Sequence, residues 1–271
     1  MKICIITVNY GNTTPTEKLI KSIEKCDKWN DIKIIIADNE CSVSTVKSLK
    51  KIKKNSKVKI ELYFFKKNYY YWPAIEKIIS SVFNEKNYPD WILACNNDIV
   101  ISDFNFFTYL FKKNIKIYTV IGPKILNSEN IDLNPFLVNP LNASKILFWN
   151  VYFKSYYLSL IINFFKKIFY LPKKATSSNE LVSVYAVHGS AIIFSKYFFK
   201  AGGTIDNKFK LYCEELSNAE IASKLGCKIF YDPKLKIIHS ENSSTKKINR
   251  KKLFLMAKES HQYFLKEYFY K

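Results

Sequence analysis

The stretch Trp91-Ile92-Leu93-Ala94-Cys95-Asn96-Asn97-Asp98 changes from apolar to polar within one residue. Bounded in front by Pro89 and Asp90, its apolar part reads as a short buried strand, and apolar Ile99-Val100-Ile101 follows the polar end. In open α/β sheets, ligands bind outside the carboxyl ends of the strands. A carboxylate placed there can hold a hard divalent cation, which in turn grips a diphosphate. Taken alone, the tripeptide reads as a strand-ending Asx turn; the remainder of the chain changes that reading.

Upstream, residues 3–8 form a first strand, and a turn at Gly11-Asn12 leads into a helix. Thr14 as N-cap, Pro15 and Glu17 make a capping box, and Leu19, Ile20, Ile23 and Cys26 make one apolar face. Lys33-Ile34-Ile35-Ile36-Ala37 is a second strand, again ending in polar residues, Asp38-Asn39. A Lys-rich helix follows with Val46, Leu49 and Ile52 inward, then an alternating strand of Val58, Ile60, Leu62 and Phe64, then a helix over residues 73–83. This alternation implies a doubly wound, mostly parallel sheet flanked by helices. No G-x-G-x-x-G follows the first strand and no Walker lysine motif is present, so neither dinucleotide nor P-loop binding is supported.

Downstream, Asn, Pro and Ser dominate residues 127–144, and residues 146–170 are aromatic and aliphatic with interspersed lysines. The uncharged run 155–165 is too short to span a bilayer. This segment is either an amphipathic element lying in a membrane interface or a core-packing helix, and the sequence leaves both open. Residues 182–187 and 192–194 read as paired strands interrupted by His188-Gly189-Ser190. A helix starts at Glu214-Glu215, with Leu216, Ala219, Ala222 and Leu225 on one face and Gly226 as its stop. Two short strands around Asp232-Pro233 lead to His239, and a basic helix carrying a solvated His261 closes the chain.

With 271 residues, 48% of them hydrophobic, the chain can bury a substantial core. The six cysteines are scattered singly, which argues against a zinc ribbon or a disulfide framework and fits a reducing, cytoplasmic setting. Formal charge is +20, yet Arg250 is the only arginine. Base-edge readers lean on the bidentate arginine fork, so no nucleic-acid partner is expected. The charge instead suits anionic lipid or a polyanionic ligand.

The ordered set Ile6-Thr7-Val8-Asn9-Tyr10, Ile35-Ile36-Ala37-Asp38-Asn39, Asn96-Asn97-Asp98, Gly202-Gly203-Thr204-Ile205-Asp206 with Phe209, Tyr212 and Glu214-Glu215, and finally His239 resembles the family 2 glycosyltransferases of the GT-A fold, rhamnosyltransferase-like bacterial branch. The resemblance covers nearly the whole chain. It implies a GT-A α/β fold with a small antiparallel element and C-terminal helices. The catalytic domain is expected over residues 1–240, with a nucleotide-binding half at 1–100, an acceptor half at 101–240 and an amphipathic insert at about 145–172; residues 241–271 form a helical extension. It assigns nucleotide contacts to Thr7, Asn9, Tyr10, Asp38, Asn39 and Asn97, with Asp38 reading the base. Asp98 and His239 are assigned to a divalent metal, Mg²⁺ or Mn²⁺. Glu215 is implied as catalytic base, with the adjacent Glu214 inseparable from it by sequence. His188, Gly189 and Tyr212 would border the acceptor.

The implied activity is inverting sugar transfer from a dTDP- or UDP-sugar to a glycan hydroxyl. The acceptor is expected to be lipid-linked, in bacterial surface polysaccharide (O-antigen or capsule) assembly at the inner face of the cell membrane. The chain departs from the pattern at Asn96, Ser217 and Ile221, where the family has acids or an arginine, and at Tyr69-Tyr70-Tyr71-Trp72, where it has small residues. A non-catalytic carbohydrate- or nucleotide-binding protein on the same scaffold, or a sugar-nucleotide nucleotidyltransferase, is the alternative.

Overall fold

The structure is a computed structural model that describes residues 2–169, 179–240 and 249–270. The end of the expected 145–172 insert and the start of the 241–271 extension lie outside the described residues. The first half alternates as expected: β1 (Ile3–Asn9), α1 (Thr14–Glu24), β2 (Ile32–Asp38), α2 (Val43–Asn55), β3 (Lys59–Phe64), α3 (Trp72–Val82) and β4 (Trp91–Asn96). Then come β5 (Ile99–Ile101), α4 (Phe106–Phe111), β6 (Val120–Leu126), α5 (Ala143–Tyr152), α6 (Tyr156–Phe169), β7 (Val182–Val184) and β8 (Ala191–Ser195). The last elements are α7 (Lys196–Lys200), α8 (Glu214–Lys224), β9 (Ile229–His239) and α9 (Arg250–Phe264).

One sheet runs in the order β3-β2-β1-β4-β8-β6-β9-β5, with β7 also on β9. Strands β1 to β4 are mutually parallel, as are β6 and β9, while β8, β5 and β7 run antiparallel to their neighbours. Both faces are covered, so successive strand residues feed two cores. Cys4, Ile6, Ile35 and Ala37 meet α3 and α8 on one side; Ile3, Ile5, Ile34 and Ile36 meet α1, α2 and α4 on the other. All four carboxyl ends of the parallel run therefore emerge at one edge.

Four local expectations are corrected. The capping box of α1 is absent: Thr13 occupies the cap position without a side-chain bond, Asn12 Oδ1 accepts from Thr14 N–H at 3.0 Å, and Glu17 pairs with Lys21 at 2.7 Å. The preceding Asx turn satisfies the first amide, leaving Glu17 free for its i+4 partner. Strands β7 and β8 do not pair with each other; β8 inserts between β4 and β6 while β7 adds to β9. The two strands around Asp232-Pro233 are one strand, β9, whose register jumps from Pro123 opposite Asp232 to Lys124 opposite Lys236. The extra residues, Pro233 among them, form a bulge that bends the strand instead of ending it. His261 is buried, not solvated: its Nε2 lies 3.2 Å from Asn150 Oδ1 and its ring packs on Phe153.

The C-terminal segment is bound to the sheet domain. Phe264 is in the core, and Asp206 Oδ2 accepts from Tyr263 and Tyr268 hydroxyls at 3.0 and 2.7 Å. Of α5, only Ile146 is buried. Among the described residues no helix is long and apolar enough to cross a membrane.

Candidate active site

At the carboxyl ends of β1 and β2, Asn9 Nδ2 donates to Asp38 Oδ1 at 3.1 Å. Asp38 Oδ2 accepts from Thr45 Oγ1 at 2.7 Å and from Cys41 N–H at 3.1 Å. On its other side Asn9 Oδ1 accepts from Thr16 Oγ1 at 2.8 Å, and Asn97 Nδ2 donates to that same threonine oxygen at 3.0 Å. Three strand ends and the first turn of α1 are thus laced into one polar floor. Asp38 is fully buried with both oxygens engaged. Asn39 clamps the next loop, donating to Tyr70 C=O at 2.7 Å. Thr7 is buried in the sheet opposite Cys95, two residues before Asn9, whereas Tyr10 stands half exposed beyond the floor.

Next along the edge, Asp98 Oδ1 and His239 Nε2 lie 3.0 Å apart, both buried, with Asn96 Nδ2 at 3.5 Å from the same nitrogen. The bend of β9 brings them together, pairing His239 with Ile99 of β5. His239 Nδ1 is buried without a partner.

Ser190 N–H donates to His188 Nδ1 at 3.1 Å. That nitrogen is therefore an acceptor, and the neutral ring carries its proton on Nε2. Burial first, and the neighbouring His239 second, push His188 down to about 4. The His188 ring faces His239, with centroids 6.2 Å apart.

On the other side of the same turn, Gly189 N–H donates to Glu215 Oε1 at 3.0 Å, and Gly189 C=O accepts from Tyr71 OH, also at 3.0 Å. Glu214 and Glu215 open α8 after Tyr212 and Cys213, two consecutive non-glycine residues in left-handed conformation with φ of 67° and 65°. Such strain persists where surrounding contacts over-determine the backbone, commonly at functional sites. Here it turns two adjacent acids into the protein. Burial raises both carboxyls above the usual range, Glu214 well above it through the added repulsion of Glu215, while the Gly189 N–H opposes the rise at Glu215. Glu214 Oε2 has no hydrogen-bond partner. The pair accordingly favours a proton on Glu214 over one on the hydrogen-bonded Glu215.

No family model matches the sequence, and no curated protein sequence matches it. Solved structures do match. The chain aligns with S. aureus TarS at a TM-score of 0.58 and 11% identity, over 89% of its own length and 37% of TarS. Against the TarS 1–349 fragment the TM-score is also 0.58, at 10% identity, over 98% of this chain and 72% of that one. GalNAc-T7, solved with UDP, GalNAc and Mn²⁺, aligns at 0.61 and 11% identity, over 90% of this chain and 44% of GalNAc-T7. These neighbours are GT-A glycosyltransferases. The fold is GT-A. The chain spans little more than a third of full-length TarS, and identity this low establishes the architecture alone.

On this GT-A frame the sequence-predicted residues gather in three clusters: Asn9, Asp38 and Asn97; Asp98, His239 and His188; Gly189, Glu214 and Glu215. Tyr212 stands 43% exposed just before the acids. Thr16 carries no site signal in the sequence, and Tyr71 is marked there only as part of the row Tyr69-Tyr70-Tyr71-Trp72. Thr16 sits on the first turn of a helix, where a hydroxyl reads as helix-terminal chemistry. Tyr71 was one aromatic in a row of four, and only the fold brings its hydroxyl to Gly189, 118 positions away. Among the described residues there is no group of three or more His, Cys, Asp or Glu side chains arranged to hold a metal. The Asp98–His239 pair offers one carboxylate and one imidazole, and with Nε2 turned to Asp98 the ring's unpartnered donor atom is Nδ1. That set suits Mg²⁺ or Mn²⁺ sharing its shell with phosphate oxygens.

Proposed function

We propose that the chain transfers a sugar from a UDP- or dTDP-sugar to a glycan hydroxyl with inversion at the anomeric carbon. The observation that carries this is the His188-Gly189-Ser190 turn, whose two sides touch the Asp98–His239 pair and the Glu214–Glu215 pair. A leaving-group site and a base then lie on the two sides of one short turn. Tyr10 and Asn97, set over the buried floor of Asn9 and Asp38, take the nucleoside. Asp98 and His239 are the residues that would hold a divalent metal. When bound, that metal offsets the negative charge gathering on the leaving group.

Glu215 removes the acceptor hydroxyl proton as the oxygen attacks the anomeric carbon. The new C–O bond forms as the bond to the diphosphate breaks, and the electron pair departs with the diphosphate. One base on the face opposite the leaving group gives inversion, by the geometry that governs inverting glycosidases. Tyr71, through Gly189, fixes the donor N–H that keeps Glu215 anionic. His188, Gly189 and Tyr212 border the acceptor. In this reading the acceptor is a lipid-linked oligosaccharide of bacterial surface-polysaccharide assembly, and the chain works at the inner face of the membrane.

Calorimetric titration of UDP and dTDP, with and without Mn²⁺, into wild type and Asp98→Ala tests the donor site. Metal-dependent binding that Asp98→Ala abolishes is the expected result. Failure of wild type to bind any nucleotide diphosphate overturns the reading.

A further inference from the structure

Helix α6 is amphipathic in the inverted sense. Its protein-facing row includes buried Ser159, while Tyr157, Leu160, Ile161 and Phe164, at helical spacing, are 70, 43, 53 and 62% exposed. Helix α5 continues the surface with Leu147 and Val151, 66 and 43% exposed. A helix that packs for core stability turns its apolar stripe inward; among the described residues, this one presents the stripe to its surroundings. The inner side is already occupied: Phe153 and Tyr156 pack on Phe254 of α9, with ring centroids 5.7 and 5.5 Å apart.

The charge pattern selects the occupant. Between Asp132 and Glu180 there is no Asp or Glu, while six lysines fall there: Lys145, Lys154, Lys166, Lys167, Lys173 and Lys174. A second copy of a chain with formal charge +20 would bring like charge against like charge. An anionic bilayer surface satisfies both halves of the pattern, since apolar and aromatic side chains enter the headgroup–acyl boundary while the exposed Lys145 and Lys154 meet lipid phosphates.

We propose that α5 and α6 form a docking surface on which the chain lies in the interface of an anionic membrane. The surface is linked to the candidate site through α9. Asn150 of α5 meets His261 of α9, and Ser260 Oγ donates to Leu211 C=O at 2.7 Å, one residue before Tyr212 and three before Glu214. Docking therefore sets the loop that carries the acids near the plane where a lipid-borne hydroxyl is presented. The docking itself does not depend on the transfer reading.

The test is co-sedimentation of the full chain with vesicles of phosphatidylcholine alone and of equal parts phosphatidylcholine and phosphatidylglycerol, at low and high salt. Wild type is expected to bind the anionic vesicles, more weakly at high salt. The doubly substituted Ile161→Glu/Phe164→Glu chain is expected to bind roughly tenfold more weakly or worse, because it loses inserted apolar area and gains charge facing the lipid. Both positions are exposed, so circular dichroism and nucleotide binding should match wild type. Equal binding by the variant means that bulk charge alone acts, and overturns the proposal. So does absence of vesicle binding, and so does a sedimentation-equilibrium dimer that the variant dissolves. Nucleotide titration of the same samples keeps failure of docking distinct from failure of the transfer reading.

Discussion

Gly189 has no side chain, and the acid pair depends on that. A Cβ there would lie 2.8 Å from Glu214 Cγ and 2.9 Å from Glu215 Oε1, closer than real contacts allow. The backbone N–H can therefore reach Glu215 only because glycine stands at this position. Replacing Glu215 by Gln keeps the shape and the acceptor oxygen for Gly189 while removing the base. The expected loss is about 10² to 10⁴ in kcat with little change in nucleotide affinity, read from steady-state kinetics beside UDP titration. Because burial holds the Glu215 carboxyl above its ordinary range, the wild-type rate should climb with pH, its half-maximum lying above the usual carboxylate value. A flat profile on the acid side would remove Glu215 from the role of base. The residue types of this cluster were legible in the chain, since acids opening a helix and a glycine in a turn are local signals. The contact of Tyr71 with Gly189 was not, because no local rule joins positions so far apart.

At the scale of elements, hydrophobic period located β1 to β4 and α1 to α3 to within a residue or two, because each is a local pattern of two or 3.6 residues. Strand pairing in the second half was not local. Strands β7 and β8 were expected to pair, yet each found a better partner in β9 or between β4 and β6. The bulge of β9 is a tertiary result too: Pro233 reads as a strand end until the flanking pairings on both sides carry the strand past it. The helical extension is held by Asp206, whose Oδ2 takes two tyrosine hydroxyls while Oδ1 accepts Lys208 N–H at 2.9 Å. Burial and this bond to Asp206 push Tyr263 up to about 12. Asp206→Asn places an N–H donor against one of these donors. It should cost about 1 to 3 kcal/mol, measured as a lower urea midpoint, with earlier proteolytic release of the C-terminal segment. An unchanged midpoint would show that the clamp contributes nothing.

For the whole molecule, stability should depend on acid through two histidines held neutral. His188 and His261 sit at about 4, lowered chiefly by burial from the ordinary 6.5. At these two histidines the folded state binds fewer protons than the unfolded one between those values, so their contribution to stability is complete above 6.5 and falls as pH drops toward 4. His261, only 4% exposed, accounts for up to about 3 kcal/mol of that loss. Denaturant melts of His261→Gln should therefore show a shallower decline from neutral to acid pH than wild type. Parallel curves would refute the assignment. Read alone, the sequence determined the alternating α/β order, the polar residues at the strand ends, the acids opening α8 and the basic, acid-free aromatic segment. Each of these follows from residue type and short-range period. Only the tertiary structure decided that Asp98 meets His239 across 141 positions, that one turn touches both pairs, and that the apolar stripe of α6 faces outward. Those outcomes depend on which distant surfaces bury one another, and a periodic pattern states that a face is apolar without stating what will cover it.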